Sequence, residues 1–137
     1  MITDEEIKSK LCELVENSIK DNQLQESVTF KISQKVIDKI WKKYFIDLKK
    51  YSCEIHSNDI RHIYKEHPDD IKYICEIHYY IEKFLSVEKS FSRDNQTGKN
   101  IPCLVFRKVI NREKIKIVKL NISRKKVLKL KTLFIEL

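Results

Sequence analysis

The chain has 137 residues, 28 Lys and Arg against 20 Asp and Glu, a formal charge of +8 and 42% hydrophobic residues. That content suits one buried core in one domain and excludes wholesale disorder. No uncharged apolar stretch approaches the ~20 residues of a membrane span, and MITDEEIKSK lacks the layout of a secretory leader, so a cytoplasmic protein without membrane contact is expected.

Residues 4–20 place Ile7, Leu11, Leu14, Val15 and Ile19 at helical spacing, with acids in the first turn, where the helix dipole favours them. VTFKI at 28–32 reads as a short strand. Ser33 then caps a second helix, whose buried stripe is Val36, Ile37, Ile40, Trp41 and Phe45. After an extended piece around 51–55, Ser57 or Asn58 opens a third helix, SNDIRHIYKEH, which stops at Pro68. A fourth helix, from Asp69 or Asp70 to about Leu85, carries Ile71, Ile74, Cys75, His78, Ile81 and Leu85 on one face.

Beyond residue 85 the hydrophobic period drops to two. SVEKSFSRD (86–94) leads into NQTGKN, a turn that holds the only glycine. IPCLVFRKVI (101–110), KIKIVKLNI (114–122) and KVLKLKTLFIEL (126–137) follow, separated by NRE and SRKK. The order predicts an α+β fold in a single domain, with N-terminal helices followed by a four-stranded antiparallel meander.

The positive charge is not spread evenly. Alanine is absent while lysine, isoleucine and asparagine abound, a coding bias that inflates lysine everywhere. Yet residues 1–85 carry 14 Lys and Arg against 16 Asp and Glu, and residues 86–137 carry 14 against 4, so the parts net −2 and +10. A basic block on a folded segment is the footprint of a polyanion partner, most often nucleic acid. The competing reading is a solvated sheet face.

The chain lacks the glycines of a phosphate-cradling loop and the His-Glu-x-x-His of a zinc protease. The basic part also lacks the clustered acids of a two-metal nuclease. Cys12, Cys53, Cys75 and Cys103 show no zinc spacing, and Cys75 and Cys103 read as small core residues, so no disulfide framework is expected. Four histidines remain: His56, His62, His67 and His78. At about 100° per residue, Ile60, Ile63, Tyr64 and His67 share one face of the third helix and His62 lies opposite. For both, the competing reading is a hydrogen-bonded structural histidine. His78 reads as core and His56 as a loop residue.

Strand parity puts Leu104, Phe106, Lys108 and Ile110 on one face, and Cys103, Val105, Arg107 and Val109 on the other. In the last strand, Leu128, Leu130, Thr132 and Phe134 face one way and Lys129 and Lys131 the other. Lys108 and Thr132, if both lie on the helix-covered face, meet His67 there. The plainer readings are a β-former at a strand end for Thr132 and a snorkelling side chain for Lys108.

SNDIRHIYKEHP, with its His-Ile-x-x-x-His core, then a basic antiparallel sheet and a terminal K-x-K-T-x-F, resembles a known group. These are the phage-associated nuclease domains of the barnase/EndoU/colicin/RelE-like superfamily. The resemblance covers roughly residues 28–137 and leaves residues 1–27 as a helical extension. It implies a toxin or phage effector that cuts RNA, such as tRNA, without metal or cofactor. The implied machinery is His67 or His62, then Lys108 or Arg107, then Thr132. An acidic immunity or antitoxin partner is implied as well. Pro68 departs from the pattern, since many relatives have glycine after the second histidine.

The chemistry suits these residue types. Cleavage by the RNA's own 2′-hydroxyl needs a base, an acid and cations on the phosphorane, and histidine serves as either acid or base near neutrality. Arg107, Arg124, Lys125, Lys126, Lys129 and Lys131 are the expected phosphate-tracking cations. Tyr79, Tyr80 and Phe91 are candidates for stacking bases, or simply packing. Replacing Lys125, Lys126 and Lys129 with Ala should weaken RNA binding with little sequence dependence. The slope of log affinity against log salt should shrink by about 0.7 per lost phosphate contact. An unchanged slope would show that this stretch faces away from the ligand.

Overall fold

The computed structural model describes residues 3–93, 97–111, 114–123 and 125–136. Helix α1 spans Asp4–Lys20, with the Thr3 hydroxyl accepting from the Glu6 amide and three acids in the first turn. Leu11, Leu14 and Val15 are its buried face. Strand β1, Ser27–Lys31, precedes α2, Gln34–Tyr44, whose Ser33 cap accepts from the Val36 amide. Strand β2, Ser52–His56, runs directly into α3, Ser57–Glu66. A 3-10 helix, Pro68–Glu76, and α4, Ile77–Glu82, complete the helical part. Strands β3 (Ser86–Arg93), β4 (Asn100–Asn111), β5 (Lys114–Ser123) and β6 (Val127–Glu136) follow.

The expected antiparallel meander is present as β3–β4–β5–β6, but it is not the whole sheet. The sheet has six strands in the order β1-β2-β6-β5-β4-β3. β2 pairs antiparallel with β1 and parallel with β6, so the architecture is α+β with a mixed sheet. The helices cover one face. Leu104, Phe106, Val118, Leu120, Leu128, Leu130 and Leu133 join Leu11, Ile40, Ile60, Ile63, Ile74 and Ile77 in a single core. Cys103 and Val105 form a separate small cluster with Phe134, on the opposite face.

Several expectations change. The fourth helix is not one α-helix: Pro68–Glu76 winds as a tighter 3-10 helix, and Leu85 is exposed. A reason lies at Asp70, whose carboxylate accepts from the Ile135 amide of β6 and ties this segment to the sheet. Trp41 and Phe45 are not part of the α2 stripe: they are 49% and 75% exposed. Cys12 and Cys75 form a disulfide joining α1 to the 3-10 helix, with Cα atoms 4.8 Å apart. Their separation of 63 residues gave no spacing cue to this pairing. Tyr80 belongs to the core, and burial pushes its phenol pKa upward.

Arg61 holds the α1–β1 connection. Its guanidinium donates to the main-chain carbonyls of Ser18, Asp21 and Leu24 at 3.4, 3.2 and 2.9 Å, and to the Asn58 side chain. One planar fork thus gathers three carbonyls from the end of α1 and the following turn, of which Asp21 O also accepts from the Leu24 amide. Arg61→Ala should lower unfolding free energy by about 2 kcal/mol, since charged hydrogen bonds contribute roughly 1.5–3 kcal/mol each. Arg61→Lys should not restore it. Urea unfolding reads both variants, and a neutral Arg61→Ala would show that water replaces the guanidinium.

Candidate nucleic-acid interface

The uncovered face of the sheet is set by strand register. In β4, Arg107 pairs with Ile117 of β5, which pairs with Phe134 of β6; Val105, Lys119 and Thr132 form the neighbouring row. A third row runs through Cys103, Asn121, Lys129, Glu54 and Thr29. Adjacent strands lie about 4.8 Å apart, so Arg107 and Phe134 sit about 10 Å from one another across β5.

A β-bulge decides which β6 residues reach this face. Lys119 pairs with Thr132 but Leu120 pairs with Leu130, which leaves Lys131 as the extra residue. Leu128, Leu130 and Leu133 therefore face the helices, and Thr132 and Phe134 face away. This corrects the alternation expected for the last strand, which had placed Thr132 beside Leu128 and Leu130. A one-residue slip reverses every later side chain. Lys108 keeps step with Leu104 and Phe106 on the helix side, so Lys108 and Thr132 lie on opposite faces and do not meet. Arg107, on the other parity, shares the open face with Thr132.

His67 reaches the same region from the sheet's side. It is the C-terminal cap of α3 rather than a residue within it, and its amide donates to Ile63 O. Its half-buried ring stacks on Phe134, with centroids 5.2 Å apart and planes 19° apart. The pairing of β2 with β6 ends at Glu54 and Lys129, and beyond it the junction of α3 and the 3-10 helix packs along β6. His62 points away from the sheet, exposed and 3.3 Å from Glu66 one turn on.

The other histidines are structural. His56 caps α3: its Nδ1 accepts from the Asn58 amide, while the Asp59 carboxylate accepts from the His56 amide. Burial raises the Asp59 pKa, against the lowering effect of that hydrogen bond. His78 is buried, wedged between Tyr79 and Phe30.

Of the remaining expected cations, Lys129 is exposed on the open face, and Lys125 and Lys126 are exposed in the β5–β6 turn. Lys126 sits at φ 64, its ammonium 5.3 Å from the centre of the Tyr51 ring. Lys131 is half-buried at the bulge, and Arg124 lies outside the described residues. Arg107 Nη1 lies 3.0 Å from Glu88 Oε2, both partly exposed. Such a surface pair contributes little to stability, and an incoming phosphate can compete for the guanidinium. On the same face the Ser92 hydroxyl donates to Asn121 Oδ1 at 2.8 Å.

Among the described residues, no three His, Cys, Asp or Glu side chains converge as a metal site requires, and no helix is long and apolar enough to cross a membrane. Two participants were not singled out from the sequence: Phe134 as the ring under His67, and Asp70 as the clamp on β6. The K-x-K-T-x-F pattern contained Phe134, but only the bulge shows where its ring points. Set beside known families, characterised proteins and solved structures, the chain matches none of them. The nuclease resemblance therefore rests on residue pattern alone.

His78 generates a pH test. Burial outweighs the pull of Asp4, Glu76 and Glu5 and lowers its pKa below the ordinary 6.5. The unfolded chain then takes up this proton at higher pH than the folded one, so stability declines as pH falls below about 6.5. Urea unfolding at about pH 7 and about pH 5.5 should show a smaller stability gap in His78→Leu than in the parent. An equal gap would mean that His78 is not held neutral.

Proposed function

We propose that this protein binds single-stranded or structured RNA across the open sheet face and cleaves it by 2′-hydroxyl transesterification, with His67 as the proton-transfer group. One observation carries the reading: His67 is stacked on Phe134, at the edge of the face that also bears Arg107, Thr132 and Lys129. The fourteen-to-four excess of basic over acidic residues in 86–137 supports it, since these strands form most of that face.

In this mechanism His67 takes the proton from the 2′-hydroxyl as that oxygen bonds to phosphorus. The P–O5′ bond then breaks, and the imidazolium returns its proton to the departing 5′-oxygen. The products are a 2′,3′-cyclic phosphate and a free 5′-hydroxyl. Arg107 stabilises the charge that builds on the phosphorane, released from Glu88 as the phosphate arrives. The Thr132 hydroxyl adds a hydrogen bond, and Lys129 holds a neighbouring phosphate. Lys108 has no part in this scheme, because its parity carries it to the other face. The reading extends to a toxin or phage effector, as the resemblance implies, with an acidic protein as its natural inhibitor.

A second reading is a binding module without catalysis. It is favoured by one fact: among the described residues His67 is the one histidine whose ring meets the face-side cluster, so a single group must serve as both base and acid. The discriminating experiment is incubation of purified protein with RNA in EDTA, followed by end-group analysis. Cleavage to 2′,3′-cyclic phosphates is the expected result. His67→Ala should lower the rate by roughly 10²-fold or more, the usual scale for an acid–base group. His62→Ala, on the far side of α3, should cost far less, with circular dichroism confirming that both fold. Salt-sensitive binding without cleavage would put the binding module first.

A further inference from the structure

Helix α2 ends in a common left-handed cap, but on a residue rarely found there. Phe45, its C-terminal cap, has φ 56 and ψ 31, the left-handed region where glycine or asparagine usually stands. A bulky side chain there is strained. Strain is ordinarily offset by burial, yet the Phe45 ring is 75% exposed. It meets Trp41, also exposed, edge to face at 5.6 Å. Two adjacent solvent-facing aromatic rings, one on a strained backbone, are a pattern that marks a binding surface.

The surroundings indicate what binds. Beside Trp41 runs a groove of about 250 Å³, lined by Gln34, Ile37, Asp38, Asp47 and Lys49. It is smaller than the roughly 300–1,000 Å³ of sites for drug-sized ligands, and suits a single flat ring. Residues 35–50 hold six lysines against two aspartates, within an N-terminal part that is net acidic overall. Of these, Lys39 lies over the Phe84 ring and Lys43 donates to Val87 O, while Asp38 and Asp47 line the groove itself, so the cations left for a ligand are those around its rim. Lys42, Lys49 and Lys50 are all solvent-facing. Exposed aromatic faces interleaved with cations are how proteins hold single-stranded nucleic acid, by base stacking and phosphate contacts.

We propose that Trp41 and Phe45, with Lys42, Lys49 and Lys50, form a stacking platform for single-stranded RNA, separate from the open sheet face. The choice of RNA as the polyanion rests on the function proposed above. The platform would hold unpaired bases flanking the segment on the sheet. The C-terminal end of α2 lies at the free edge of β3, where Lys43 and Tyr44 both donate to Val87 O. A strand leaving the sheet over that edge would come first to this end of α2.

Trp41 is the only tryptophan, so its emission reports on the platform directly. The probe is a ten-nucleotide 2′-O-methyl uridylate, which lacks the nucleophile for cleavage and separates binding from catalysis. The parent protein should show saturable, salt-sensitive quenching. Phe45→Gly relieves the left-handed strain, so its thermal midpoint should hold or rise while affinity falls about tenfold, one decade of stacking energy. Trp41→Phe, read by anisotropy of labelled oligonucleotide, should weaken binding in the same direction. If the labelled oligonucleotide binds but Trp41 emission and Phe45→Gly affinity stay unchanged, the platform is wrong and the sheet-face reading stands. If quenching occurs but RNA is never cleaved, the platform stands and the nuclease reading falls. If polyglutamate changes Trp41 emission and the oligonucleotide does not, the patch takes an acidic protein and the proposal is overturned.

Discussion

Strand β6 is paired along its whole length by β5 but only as far as Lys129 by β2, and the site depends on how the unpaired remainder of that edge is filled. A bare strand edge presents main-chain groups that must find partners. Here the chain turns from β2 straight into α3 at Ser57, and the 3-10 helix returns to supply the Asp70 carboxylate to the Ile135 amide. That return fixes the α3 C-terminus against the sheet and sets His67 on Phe134. The disulfide between Cys12 and Cys75 and the Arg61 fork hold the same region from the α1 side. The helical part thus forms the frame that aims one histidine at a sheet edge.

The bulge at Lys131 is the complementary constraint. Without it, Thr132 and Phe134 would point into the helix-covered core and Leu133 would point out. With it, β6 seals the core with Leu133 and presents a hydroxyl and a ring to the open face. The small cluster of Cys103, Val105 and Phe134 gives that face a firm centre, ringed by Arg107, Asn121 and Lys129. An antiparallel sheet with one packed and one solvated face is a natural platform for an extended polyanion.

Much of this was legible in the residues. The bounds of α1, the Ser33 cap, the start of α3 and the four meander strands follow from capping and periodicity, because local chemistry decides them. The phase of α3 put Ile60 and Ile63 in the core and His62 outside, but Tyr64 is exposed, and His67, as the C-cap beyond the last helical turn, stacks on Phe134 of the open face rather than joining the helix-covered one. What failed required information from distant residues. Parallel pairing of β2 with β6 joins segments far apart in sequence, and no local pattern announces it. A bulge leaves alternation of Leu and Lys intact up to the residue where it acts, so alternation alone gives Thr132 the wrong face. Trp41 and Phe45 fit a buried stripe by spacing, and only the packing of α2 shows them exposed.

The proposed function requires RNA to lie on the open face and not between helices and sheet. Arg107 and Lys108 are neighbours on one strand with side chains on opposite faces, so they provide an internal control. RNA affinity of Arg107→Glu and Lys108→Glu, measured at the same salt concentration, tests it most directly. Charge reversal at Arg107 should weaken binding by about tenfold or more, as expected for a lost phosphate contact, while reversal at Lys108 should leave it within about twofold. Equal losses, or a larger loss at Lys108, would contradict the assignment of the binding face.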